Sequence, residues 1–222
     1  MTVSLARRAA AEFVGTAFLL LAVVGSGIMG ERLAGGNTAI ALLANAVATG
    51  AALVAIILAL GPVSGAHLNP VVTLCAVRRG GMAWREAGAY LAAQFAGAFA
   101  GVAAANMIFG LPVFSLSTHA RSGAAQFLSE MLATLGLLMV IWGCERSREA
   151  AIPFAVGAYI TGAYWFTSST SFANPAVTLA RSVTNTFAGI RPADTAGFIA
   201  AQVLGAVVAL CAFHWLMPPE RG

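Results

Sequence analysis

"SGAHLNPVVTL" (residues 64–74) and "SFANPAVTLAR" (residues 171–181) decide the fold of this chain. Each contains Asn-Pro inside an apolar piece too short to cross a bilayer, 66–77 in the first case and 172–183 in the second. Each is preceded by Gly/Ser/Thr-rich sequence. Asn at the N-cap with Pro at the first helical position is a strong helix-start signal. A hydrocarbon core needs about 20 apolar residues per helix. These pieces are therefore predicted as half-helices that begin inside the membrane. Irregular backbone at that depth is tolerated only where it is buried in protein or lines a wet cavity.

Outward from the two pieces, five segments are long enough to span: 9–30, 38–60, 87–109, 123–143 and 195–216. A sixth, 151–166, is shorter and carries Pro153 in its first turn, where proline is tolerated. The 222 residues are 59% hydrophobic and 9% charged, against about 25% charged in soluble domains. With a mean hydropathy of +0.85, the chain falls in the membrane class. Arg7 and Arg8 followed by an apolar run imitate a secretory signal. The run contains Glu12 and continues through Gly30, which predicts an uncleaved first helix.

All twelve basic residues are Arg, scattered at segment ends. That pattern reads as topology determinants and not as a nucleic-acid footprint. Six spans put both termini on one side. Arg7, Arg8, Arg78, Arg79, Arg85, Arg146, Arg148 and Arg221 fall on that face, and Arg32, Arg121, Arg181 and Arg191 on the other. Eight against four places both termini in the cytoplasm, across a cell (inner) membrane. Cys75, Cys144 and Cys211 have neither metal-ligand spacing nor a disulfide framework and read as small apolar fillers. No cofactor is implied.

The chain also repeats itself. "AEFVGT" from Ala11 matches "SEMLAT" from Ser129, "NPVVTL" from Asn69 matches "NPAVTL" from Asn174, and "AAQFAGA" from Ala92 matches "AAQVLGA" from Ala200. The offsets are 118, 105 and 108 residues, in the same order. One domain, 1–222, is thus predicted from two repeats, about 9–109 and 123–216. Three spans per half make the repeats inverted in the membrane, which places a site at the midplane. A lone Asn-Pro would read as a surface turn; two related by the repeat read as facing helix N-termini. Each such end carries roughly half a positive charge. Two converging ends repel cations, while the Asn69 and Asn174 amides cap their helices and can donate to a passing oxygen. Glu12 and Glu130 occupy the same place in each half. A carboxylate within a span costs about 2.5–3.5 kcal/mol on insertion scales and demands a partner. Either that partner is structural or the carboxylate relays protons in a coupled transporter.

The two boxes resemble the signature boxes of the aquaporin (major intrinsic protein) family, and "AEFVGT" resembles that family's first-helix motif; the resemblance runs from Ala11 to about Leu216. It implies an all-α membrane protein, a right-handed bundle of six transmembrane helices with two re-entrant half-helices in an inverted repeat, one pore per subunit, assembled as a homotetramer. The pore motifs would be Asn69, Pro70, Val71 and Asn174, Pro175, Ala176. The resemblance assigns Glu12 and Glu130 to support of the re-entrant loops. It makes the carbonyls of Gly65, Ala66, His67, Ser169 and Thr170 a ladder of acceptors along the pore. His67 is either a packed loop residue or a pH gate. Four positions at fixed offsets from the two asparagines would form the outer constriction: Thr49, Gly162, Ser171 and Val177.

Water-selective members have an aromatic residue at the first of these positions and Arg at the last. Thr49 and Val177 imply a wider, less basic passage for solutes larger than water. Arg181 stands one turn beyond Val177. It is either a snorkelling interfacial Arg or a partial replacement for the missing one. The second box also resembles a bacterial, aquaglyceroporin-like branch associated with arsenic resistance. The partners implied are water, glycerol-like polyols, arsenite and methylated arsenicals, together with the lipid bilayer. The expected function is a passive channel for small neutral solutes. The alternatives are a water and glycerol facilitator without a metalloid role, a secondary active transporter, which shares inverted repeats and broken helices, and a junction protein on a channel scaffold. No nucleophile arrangement points to an enzyme.

Overall fold

The computed structural model describes residues 3–216; Arg221, assigned above to the cytoplasmic face, lies outside them. Among the described residues there are eight α-helices and no strand: α1 (Leu5–Leu33), α2 (Thr38–Ser64), α3 (Pro70–Arg78), α4 (Trp84–Ile108), α5 (Ala124–Ser147), α6 (Ile152–Phe166), α7 (Pro175–Ala180) and α8 (Thr195–Leu216). Five of them are long and apolar enough to cross a membrane. The exception among the six long helices is α6, whose 15 residues give about 22 Å at 1.5 Å per residue. Its first turn is extended by the 3₁₀ segment Glu149–Ala151.

Both predicted half-helices are present, and both start where the Asn-Pro signal puts them. Asn69 and Asn174 are the N-caps, with Pro70 and Pro175 at the first helical positions. The first apolar piece is helical only from Pro70, because Gly65 terminates α2 in the left-handed conformation at φ 83°. The second ends in a 3₁₀ turn, Arg181–Val183.

In one half α1 packs on α2 and α4; in the other α5 packs on α6 and α8; α2 against α6 joins them. The half-helices sit between the halves, each touching both α4 and α8. Small residues set the close crossings. A Cβ on Gly97 would collide with the Phe13 carbonyl, one on Gly101 with that of Ala17, and one on Gly205 with that of Met131. Close backbone approach at small residues is how helices associate where lipid supplies no hydrophobic drive. Large apolar side chains such as Phe18, Ile40, Phe154 and Val207 are exposed on the outside of the bundle, as a lipid-facing surface requires. At one end, the segment after α4 folds over the exit of α7: Ser115 and Ser117 donate their N–H groups to the carbonyls of Val183 and Ser182 at 2.9 and 3.0 Å. Buried Asn106 ties the same region together, donating to the Val113 carbonyl and accepting from Thr184 Oγ1 at 2.9 and 2.8 Å.

Candidate functional site

The half-helices meet tip to tip. Asn69 Nδ2 donates to the Ala173 carbonyl at 2.8 Å, and Asn174 Nδ2 donates to the Leu68 carbonyl at 2.7 Å. Each side-chain oxygen meanwhile caps its own helix, Asn69 Oδ1 accepting from Val71 N–H and Asn174 Oδ1 from Ala176 and Val177 N–H. One amide thus closes its own helix and grips the opposite loop. Pro70, Val71, Pro175 and Ala176 are buried behind the two asparagines.

The loops leading into the asparagines adopt backbone that L-residues avoid. Ala66 and Leu68 have φ of 46° and 52°, and Ser171 and Ala173 have 52° and 48°. These are the third and first residues before each Asn. Left-handed backbone costs about 1–2 kcal/mol per residue, and it leaves N–H groups without helical partners. Glu12 takes up those of the first loop: its carboxylate accepts from His67 N–H at 2.9 Å and Leu68 N–H at 2.7 Å. Glu130 does the same for Phe172 and Ala173, both at 2.9 Å. Both carboxylates are fully buried.

Each carboxylate is in turn oriented by a glutamine. Gln94 Nε2 donates to Glu12 and to Thr73 Oγ1 at 2.8 and 2.9 Å; Gln202 Nε2 donates to Glu130 and to Thr178 Oγ1 at 2.6 and 2.8 Å. The threonine hydroxyls donate back to the carbonyls of Asn69 and Asn174. Gln94 and Gln202 lie inside the quoted repeats, where they served only as markers. A glutamine in an apolar span, like a carboxylate there, calls for a partner.

A cavity of about 270 Å³ runs past the meeting point. Asn69, Asn174, Gly65, Ala66 and His67 line it, as do Thr49, Ser171, Val177 and Arg181. The His67 ring packs edge-on against Tyr90 at 5.4 Å, with Nδ1 3.1 Å from Thr73 Oγ1. At the other end the lining includes Arg79 and Glu145, paired at 2.6 Å, with the Arg79 guanidinium over Trp142. Cys75 is buried among Val71, Leu138, Trp142 and Phe213, outside the cavity lining.

Three expected lining residues are placed elsewhere. Gly162 is exposed on the outer side of α6, where a Cβ would meet only the Phe166 ring. The face of α6 turned to the cavity is Ile152, Val156, Ile160 and Tyr164, a stripe with the four-residue repeat of one helix face. Tyr164 lines the cavity where Gly162 does not, and its hydroxyl lies 3.2 Å from Thr49 Oγ1. This cavity-lining residue of α6 lies ten residues before Asn174, where an offset of twelve was expected. Counting forward in fours along α6 would have found Tyr164. Ser169 and Thr170 also fall outside the cavity lining. The Ser169 carbonyl is taken by Arg121 Nη1 at 3.3 Å, and Phe172 lines the cavity instead.

Arg121, a topology marker by sequence, is half-buried and anchors two stretches of loop. Besides Ser169 it donates to the carbonyls of Gly189 and Phe187 at 2.8 and 3.3 Å. Burial lowers its pKa from the ordinary arginine value, since the charged form loses its hydration.

Comparison with known proteins agrees with this architecture. Residues 1–168 match the family model described as "Major intrinsic protein". The chain is 53% identical over 217 residues to the aquaglyceroporin AqpS of Rhizobium meliloti (strain 1021), covering 98% of this chain and 93% of that protein. It is 32% identical over 221 residues to the aquaporin NIP1-3 of Oryza sativa subsp. japonica, covering 96% of this chain and 74% of that protein. The X-ray structure of the aquaglyceroporin from Plasmodium falciparum superposes with a TM-score of 0.73 at 21% identity, over 95% of this chain and 96% of that one.

Proposed function

The chain belongs to the major intrinsic protein family of membrane channels, and from that premise we propose that it is a passive pore for neutral solutes larger than water, selected at a ring of Thr49, Tyr164, Ser171 and Val177. It is a multi-pass channel protein and not an enzyme. The observation that carries the selectivity reading is Val177, an aliphatic side chain lining the cavity three residues after Asn174. An apolar group there offers no donor and no charge, so a solute passes on size and on its contacts with the Thr49, Tyr164 and Ser171 hydroxyls. Among the described residues, Ser171 Oγ has no hydrogen-bond partner, and Ser171 is one of the residues lining the cavity.

The proposed solutes are glycerol-like polyols, arsenite, methylated arsenicals and some water. Polyols are supported by the likeness to a protein named as an aquaglyceroporin. Uncharged arsenite is a trihydroxy solute of similar shape, and its inclusion rests on the resemblance of the second box. What supports passive flow over coupled transport is that Glu12 and Glu130 have both oxygens committed to the loops. That leaves neither free to carry protons. The single domain of two repeats would sit in the cell (inner) membrane with both termini cytoplasmic, as the arginine distribution favours, and would assemble as a homotetramer.

The test is a swelling and arsenic-uptake panel in proteoliposomes on wild type and Val177→Arg. The expected result is water flow kept or narrowed and passage of glycerol and methylated arsenicals lowered by about tenfold or more, since a long cationic side chain fills and charges the constriction. Unchanged flux of every solute would remove Val177 from the constriction. Glycerol flux without arsenic flux would favour a facilitator with no metalloid role.

A further inference from the structure

Arg181 is 2% exposed. A snorkelling interfacial arginine sends its head to water; this one turns inward. Its Nε donates to the Ala188 carbonyl, and its guanidinium carbon stands 3.4 Å from the centroid of the Phe172 ring. Among the described residues, no carboxylate forms an ion pair with it and its two Nη groups have no hydrogen-bond partner. The residue lines the central cavity, so those donors and that charge face the solute path.

The same ring carries a second cation. The Arg121 guanidinium carbon lies 5.2 Å from the Phe172 centroid, so the two guanidiniums can be no farther apart than the sum of their distances to it. Arg121 is held by the carbonyls of Gly189, Ser169 and Phe187. Its side chain likewise has no carboxylate partner among the described residues; Asp194 accepts from its backbone N–H and pairs with Arg191. Phe172 is fixed from below by Glu130 and from the side by Phe198 at 5.1 Å. The two cations on one ring repel each other, and the single Glu130 carboxylate behind Phe172 acts on both, so one positive charge is left over. Their cation–π attraction and the carbonyl clamps keep them there, and the result is a patch of positive potential at the mouth of a narrow, low-dielectric passage.

We propose that Arg181, stacked on Phe172 and backed by Arg121, is the cation barrier of this channel, standing one helical turn outside the uncharged Val177 and offering its free Nη donors to solute oxygens. This deepens the channel reading and rests on it. Arg121 acts as a positioning residue, setting the ring and adding its field.

The experiment compares wild type, Arg181→Gln and Arg181→Lys in proteoliposomes, reading proton and sodium leak beside water swelling. Arg181→Gln is expected to raise the leak by about tenfold or more, the factor for removing a unit charge at roughly 10 Å in a medium of effective dielectric about 20. Arg181→Lys keeps the charge and is expected to leak like wild type. A leak unchanged in Arg181→Gln at preserved water flux would overturn the proposal. Should Arg181→Gln fail to assemble, Ser171→Asp serves instead. It places a carboxylate in the same cavity on left-handed backbone, which Asp tolerates. The proposal then requires the leak to rise, and no rise would overturn it. Wild-type vesicles that swell no faster than protein-free ones would instead defeat the channel reading, independently of either leak result.

Discussion

Replacing Glu130 by Gln tests what holds the second re-entrant loop. The carboxylate accepts three hydrogen bonds: Phe172 N–H on one oxygen, Ala173 N–H and Gln202 Nε2 on the other. Every one of these partners is a donor. The amide of Gln can keep its oxygen on the doubly bonded side, but its NH₂ then confronts the Phe172 N–H. One charge-assisted bond of about 1.5–3 kcal/mol disappears, and the two that remain weaken to neutral ones of about 0.5–1.5 kcal/mol. The sum is about 3.5–6 kcal/mol as an upper bound, because a neutral amide is cheaper to bury than a carboxylate. For a protein of this size about 3 kcal/mol corresponds to roughly 6–12 °C in melting temperature. Glu12 accepts four bonds, Ser64 Oγ included, so Glu12→Gln loses one more and is expected to be the worse of the two. The assay is thermal unfolding in detergent together with solute flux per reconstituted channel. Both are expected to fall in the order wild type, Glu130→Gln, Glu12→Gln. A Glu130→Gln channel that melts and conducts like wild type would refute the idea that the carboxylates hold the left-handed loop backbone.

Two further perturbations separate packing from selectivity. Gly205→Ala drives a Cβ into the Met131 carbonyl, and Gly97→Ala into that of Phe13, whereas Gly197 and Gly88 have nothing within 4 Å. The first pair is expected to lose about 1–3 kcal/mol or more through forced helix separation; the second pair is expected to be neutral or slightly stabilised by helix propensity, all read by melting temperature. Tyr164→Phe removes the hydroxyl 3.2 Å from Thr49 Oγ1. Swelling assays should show glycerol flux falling relative to water, at a stability cost of about 0.5–1.5 kcal/mol; an unchanged ratio would take Tyr164 out of the selecting ring.

The architecture was legible because its determinants are local. Asn-Pro fixes a helix start by capping geometry alone, and apolar runs fix spans by length, so every helix lies within a few residues of its predicted place. That Glu12 and Glu130 need partners was legible for a physical reason, since a carboxylate in an apolar span must have one; that the partners are loop N–H groups came from the family resemblance. Arg121 and Phe172 were not legible, since their meeting depends on how the 111–123 segment folds across the far side of α7, and no periodicity records a loop's path. Gly162 was assigned by an offset alone, whereas the four-residue stripe Ile152, Val156, Ile160 and Tyr164 is the face of α6 that lines the cavity. Ser169 was assigned a free carbonyl because nothing in the sequence says that Arg121 occupies it.

The crossed asparagines show why supporting the fold and choosing the solute are one problem here. Each amide spends one N–H on the opposite loop and its oxygen on its own helix, leaving one N–H at a point where two helix N-termini converge. Such a point favours an acceptor oxygen and disfavours a cation, and the clamp keeps the remaining donor from swinging away. The repulsion from two helix ends is weak and screened wherever water fills the path. If Val177 lines the constriction as proposed, that point has no fixed charge to add. A channel with so neutral a waist would need its positive charge elsewhere on the route; of the two arginines lining this cavity, Arg79 is paired with Glu145, whereas the buried Arg181 guanidinium has no ion-pair partner among the described residues.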